Sequence, residues 1–108
     1  MLTPSHKPLT DLAETATRIS VAVSEIENIE TEWRPYGWVL RMTPDAMVEL
    51  VESLANGKVT EGFIEDVHQQ IRSLPDVEYL VDEGVLKIEI PELSLLNAGV
   101  WILQNVGK

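Results

Sequence analysis

The spacing of apolar residues predicts a small α+β domain, with a two- or three-stranded antiparallel sheet containing one β-hairpin packed on about four helices. Two observations carry this. Between Thr43 and Leu74 apolar residues recur at steps of three and four, the period of a helix face. From Val77 to Ile90 the period changes to two around Asp82-Glu83-Gly84, as in two strands joined by a tight loop.

The elements follow in order. Residues 1–8, with Pro4 and Pro8 and little to bury, read as a loose N-terminal arm, leaving residues 9–108 as a single domain. A first helix is expected from Thr10, where Asp11 and Glu14 are spaced as a capping box. Leu9, Leu12, Ala16, Ile19, Val23 and Ile26 form its apolar seam. Residues 19–24 also alternate with period two and are rich in β-branched residues, so a strand competes there; helix is favoured because the three-four pattern runs on to Ile26. Trp33 to Gly37 breaks any helix, and Trp38 to Met42 reads as a strand.

Thr43-Pro44-Asp45 opens a second helix with a hydroxyl cap, a proline whose missing N–H costs nothing, and an acid at the positive end of the dipole; Gly57 closes it. Thr60-Glu61 opens a third, which Pro75 stops. The two should form a compact helical corner. In the hairpin, Asp82-Glu83-Gly84 is expected to be a three-residue loop, a type I turn with Gly84 in a bulge. Val77, Tyr79, Val81, Leu86, Ile88 and Ile90 should face the core, with Glu78, Lys87 and Glu89 in water. Leu93, Leu96, Val100, Leu103 and Val106 then describe a last helix, weakened by Gly99 and nearly free of charge. Such a helix must be buried in the core or in a second subunit, so a homodimer through the first or last helix is expected.

Composition bounds the chemistry. Apolar residues make up 44% and charged residues 24%, the range of a folded globular chain. The absence of cysteine excludes disulfides, thiolate metal sites and cysteine nucleophiles, and fits a cytoplasmic protein. No apolar stretch approaches the roughly 18 residues needed to span a bilayer, so no membrane partner is expected. Eighteen acidic residues against eight basic ones give a net charge of −10, a field that repels nucleic acid and attracts basic proteins.

The order helix, strand, helix, helix, hairpin, helix resembles the winged-helix arrangement, which implies a recognition helix and a wing that contact DNA. The residues at those positions are Glu61, Glu65 and Asp66 on the helix and Asp82-Glu83 on the wing, where a DNA reader needs lysine and arginine.

Candidate sites are few. Glu65 and His68 have the Glu-x-x-His spacing of di-iron bundles, but no second pair exists, and a solvated helix face is the better account. Glu49 and Glu52 read as surface carboxylates for the same reason. No serine elbow or phosphate loop is present, so neither catalysis nor a cofactor is expected. Trp33, Tyr36 and Trp38 beside Arg34 and Arg41 have the composition of an interface hot spot, or equally of an aromatic plug in the core, with Trp38 the best placed for the core. The expectation is therefore a small, acidic, non-catalytic regulator, inhibitor or adaptor that binds a basic protein through Trp33, Tyr36, Glu78, Asp82, Glu83 and Glu89. A nucleic-acid mimic of phage origin is one form of it. The alternative is a winged-helix transcription regulator, whose Arg34, Arg41, Lys58 and Arg72 would have to share one face.

Overall fold

A computed structural model describes residues 6–106, with side chains described over residues 12–106. Its elements are α1 (His6–Glu25), β1 (Ile29–Arg34), β2 (Gly37–Met42), α2 (Pro44–Ala55), α3 (Glu61–Arg72), β3 (Glu78–Asp82), β4 (Val85–Pro91) and α4 (Glu92–Asn105). The fold is α+β, as expected, but the sheet has four antiparallel strands in the order β1-β2-β4-β3.

The additional strand is β1. Ile29-Glu30-Thr31-Glu32-Trp33-Arg34 alternates with period two, but four of its six residues are polar or charged, so it lacks the hydrophobic signal of a half-buried strand. It forms by pairing all six residues with β2, from Ile29 opposite Met42 to Arg34 opposite Gly37. Asn28, in the left-handed region at φ 67°, lies just before it. Helix α1 therefore ends at Glu25. It begins at His6, with Pro8 inside the first turn, where a missing N–H is tolerated. Of the expected arm, residues 1–5 lie outside the described residues.

The caps of α2 and α3 form as the sequence implies. Thr43 Oγ1 accepts from Ala46 N at 3.1 Å, and Thr60 Oγ1 accepts from Phe63 N at 3.1 Å. At the end of α2 it is Asn56, not Gly57, that turns left-handed, at φ 59°. The β3–β4 loop also differs from expectation. Asp82 pairs with Val85, so the loop is Glu83-Gly84 alone, and both residues have positive φ, 52° and 79°. That is a two-residue type I′ turn, whose twist matches that of the strands it joins.

Helix α4 is the centre of the molecule. It packs on α1, α2 and α3 and on strands β2 and β4. Its Ser94, Leu95, Ala98, Gly99 and Ile102 are buried, so the chain's own core takes up the uncharged helix. Gly99 has a packing role: a Cβ built there would lie 2.7 Å from Thr15 Cγ2 and 3.0 Å from Ile19 Cδ1, so α1 and α4 approach closely because that position is bare. The seam of α1 is rotated accordingly. Thr15, Ile19 and Ala22 are buried, whereas Ala16 is exposed. Helix α2 lies chiefly on α1 and α4, and α3 on α4. Arg18 joins α1 to the end of α2 by donating to the carbonyl of Leu54 at 3.2 Å.

Leu40, Met42, Ile88 and Ile90 supply the buried face of the sheet. They complete one core with Met47, Leu50, Val51 and Leu54 of α2 and Val67 and Ile71 of α3.

Candidate protein-interaction surfaces

The outer face of the sheet, turned away from the helices, carries a lattice of charge. Strand register places Glu30, Glu32 and Arg34 of β1, Arg41 of β2, Lys87 and Glu89 of β4, and Glu78 and Asp82 of β3 on this face. Glu89 is its hub. Its carboxylate accepts from Arg34 Nη1 at 3.0 Å and from Arg41 Nη2 at 2.8 Å, and its side chain is only 12% exposed. Burial pushes the Glu89 carboxyl up, but hydrogen bonds and charge from Arg41 and Arg34 outweigh it and hold the group below the usual carboxylate range. Arg34 is raised in turn by its hydrogen bonds to Tyr36, Glu32 and Glu89, and Arg41 chiefly by its hydrogen bond to Glu89. Lys87 lies 3.2 Å from Asp82 and 3.3 Å from Glu30, hydrogen bonds that raise its pKa. Beneath this lattice Val39, flanked by Glu32 and Pro91 in register, is buried.

This geometry divides the six expected contact residues. Trp33 and Tyr36 sit at the β1–β2 turn, and Asp82 and Glu83 at the β3–β4 turn, which is the opposite end of the sheet because β2 and β4 run antiparallel. Glu89 belongs to the lattice and is not free for a partner, and Asp82 is held by Lys87. Glu89 was expected in water, but Arg34 and Arg41 reach it from across the sheet.

At the aromatic end, Trp33 and Trp38 face each other across β1 and β2 in a T-shaped pair with centroids 5.2 Å apart. Trp38 is 44% exposed rather than a core residue. Tyr36 is exposed, its hydroxyl accepting from Arg34 at 3.1 Å. A groove of about 320 Å³ runs from Trp38 between α1 and α4, floored by Ile19, Leu40 and Leu96. Trp101 is half-buried and stacks on Phe63 at 5.8 Å.

At the hairpin end, the apolar face runs out beyond the helices. Tyr79 pairs with Ile88, and Val81 with Leu86, so all four share the core-side face. Ile88 is buried, but Tyr79 and Leu86 are exposed and Val81 is 69% exposed. Arg72 of α3 lies over the Tyr79 ring, 5.8 Å from its centroid. Around this patch Asp76, Glu78 and Glu83 are exposed and have no cationic partner among the described residues.

No family model, curated protein or solved structure matches this chain.

A third acidic region joins carboxylates at the end of α1 to others distant in the sequence. Glu25 and Glu27, at the end of α1, meet Glu49 and Glu52 of α2 around a groove of about 700 Å³ in which Lys58 is the one cation among the lining residues. The pairs come from different helices, distant along the chain, so only the packing of α1 on α2 brings them together. The basic residues are not brought together in this way. Arg34 and Arg41 are bound to carboxylates, Lys58 lies between α2 and α3, and Arg72 lies on Tyr79. His68 is half-buried with Nδ1 unpartnered, and Glu65 beside it is exposed. No helix among the described residues is long and apolar enough to cross a membrane.

Proposed function

We propose that this chain is a non-catalytic interaction protein that binds a basic protein partner through the end of the β3–β4 hairpin. The observation that carries this is the apolar strip of Tyr79, Val81 and Leu86, exposed beyond the helical layer, with Asp76 and Glu83 near the two ends of β3 and Glu78 on its outer face, all three without a cationic partner among the described residues. Charge alone is a weak indication, since acidic surfaces are commonly just solvated. Apolar side chains left clustered in water are unusual, and with an aromatic member and a charged rim they have the composition of a binding surface. The net charge of −10 adds long-range attraction for a basic target. A regulator, inhibitor or adaptor role is consistent with so small a binding module.

The winged-helix DNA-binding reading has less support. Its four basic residues share no face, two of them are neutralised, and the helices that would form the DNA-binding corner pack on α4. A homodimer through α1 or α4 also loses its main argument, because the buried residues of both helices are spent on the core.

The test compares the tagged protein with its Glu78→Lys/Glu83→Lys variant in pull-downs from a lysate of the source cells, with nuclease present and at low and high salt. A discrete protein held by the parent, resistant to nuclease, weakened by salt and lost by the variant supports the proposal. Equal capture by parent and variant, or capture that nuclease abolishes, removes it.

A further inference from the structure

We infer that the partner is taken up by strand addition: an extended segment alternating basic and apolar residues pairs with the free edge of β3. This rests on the hairpin reading above and specifies its mode. Strand β3 ends the sheet, with β4 on one side and no strand on the other among the described residues. Pairing with β4 uses the N–H and C=O of alternate residues, and those of the residues between them form a row of donors and acceptors along the free edge, the template used in strand addition.

The two faces of that edge differ in chemistry. Tyr79 and Val81 point to the core side, where Leu86 extends the apolar surface. Glu78 and Asp82 point to the outer side, flanking half-buried Leu80, and Lys87 is the one cation bonded to either of them among the described residues. Residues of an added strand alternate in the same way, so those beside Tyr79 and Val81 should be apolar and those beside Glu78 and Asp82 should be lysine or arginine.

The same charges disfavour a second copy of the chain. Antiparallel pairing of β3 with β3 of another molecule, in the register that pairs all five residues, is centred on Leu80. It sets Glu78 against Asp82 twice, and like charges directly opposite are destabilising. The edge is thus guarded against itself and open to a strand of opposite charge.

The experiment uses capped synthetic hexapeptides in three forms: alternating lysine and valine; the same composition as a lysine block followed by a valine block; and the alternating peptide N-methylated at every second residue. Affinity is read by fluorescence anisotropy, and the site by amide chemical-shift changes in the full chain. The expected result is that the alternating peptide binds at least tenfold more tightly than the other two and perturbs the amides of residues 78–82. The Glu78→Lys/Asp82→Lys variant should lose at least tenfold in affinity for it. If alternating and block peptides bind equally, strand addition is overturned while attraction of a basic partner to the acidic surface survives. Binding by neither peptide overturns strand addition and counts against the basic-partner reading as well. Concentration-dependent dimerisation with protected β3 amides would make a second copy the occupant and overturn the inference.

Discussion

At the scale of single residues, Glu89 shows how a largely buried carboxylate is kept ionised. Its desolvation is opposed by two arginines from the neighbouring hairpin, and the balance lowers its pKa below the ordinary value of 4.5. A carboxylate whose folded pKa is depressed adds stability above its unfolded pKa, and that contribution fades as pH falls through the folded value. Glu89→Gln should therefore reduce stability at pH 7 by about 1–3 kcal/mol, since it leaves Arg34 and Arg41 without the charge they both bond. It should also flatten the loss of stability below about pH 4.5. Urea unfolding at a series of pH values measures both, and a variant whose curve runs parallel to the parent's from pH 7 to pH 3 would show that Glu89 is not held this way. Side chain by side chain, the sequence identified which strand face is apolar but not how far the helices cover it: Glu78 is exposed as expected, while Tyr79, Val81 and Leu86, expected to face the core, are exposed because that face runs out beyond the helices. It also failed where a partner strand decides exposure. The position of Glu89 between two arginines depends on pairing across 48 and 55 residues, which nothing local encodes.

Among the elements, those with their own end signals were legible. Thr43 and Thr60 cap α2 and α3 where a hydroxyl precedes an apolar period, and the β3–β4 hairpin forms around Gly84. Strand β1 was not legible, because it is an edge strand whose identity comes from β2 rather than from its own hydrophobicity. The packing of α1 was half legible: its period is helical, and Ile19 of the expected seam is buried, but Thr15 and Ala22 are buried beside it while Ala16 is exposed. Gly99 explains this, since a helix without a side chain at that point admits Thr15 Cγ2 where a Cβ would stand at 2.7 Å. Gly99→Ala should cost about 1–3 kcal/mol of overpacking, offset by about 1 kcal/mol of helix propensity. Thr15→Ser removes the offending methyl and alone should cost about 1 kcal/mol for the void it leaves. Together the two changes move one methyl group from α1 to α4, and the double variant should be at least 1 kcal/mol more stable than the sum of the single effects implies. Additive losses in thermal or urea unfolding would show that this contact does not set the helix spacing.

For the whole molecule, the sum of charges and the local runs of acid were legible, but the pairings across the sheet and between helices were not. The lattice on the outer sheet absorbs Arg34, Arg41 and Lys87, so the excess of acid falls elsewhere, on the hairpin end and on the groove between α1 and α2. In that groove Glu25 occupies the last turn of α1, where the helix dipole is already negative and no basic residue offsets it, and faces Glu27, Glu49 and Glu52 across the cleft. Four carboxylates against one lysine in the lining of this groove predict a net repulsion, and with it a stability that depends on salt. Glu25→Lys turns one repulsive centre into an attractive one and supplies the cation that the helix end lacks. It should stabilise the protein by about 0.5–1 kcal/mol at low ionic strength. Because the Debye length shrinks from about 30 Å at 0.01 M salt to about 3 Å at 1 M, the gain should fall to near zero at the higher concentration, while the parent becomes more stable over the same range. Urea midpoints for parent and variant at the two salt concentrations decide the point. A gain that persists in 1 M salt would assign the effect to local helix packing, and no gain at low salt would mean that the four carboxylates are too well hydrated to repel one another.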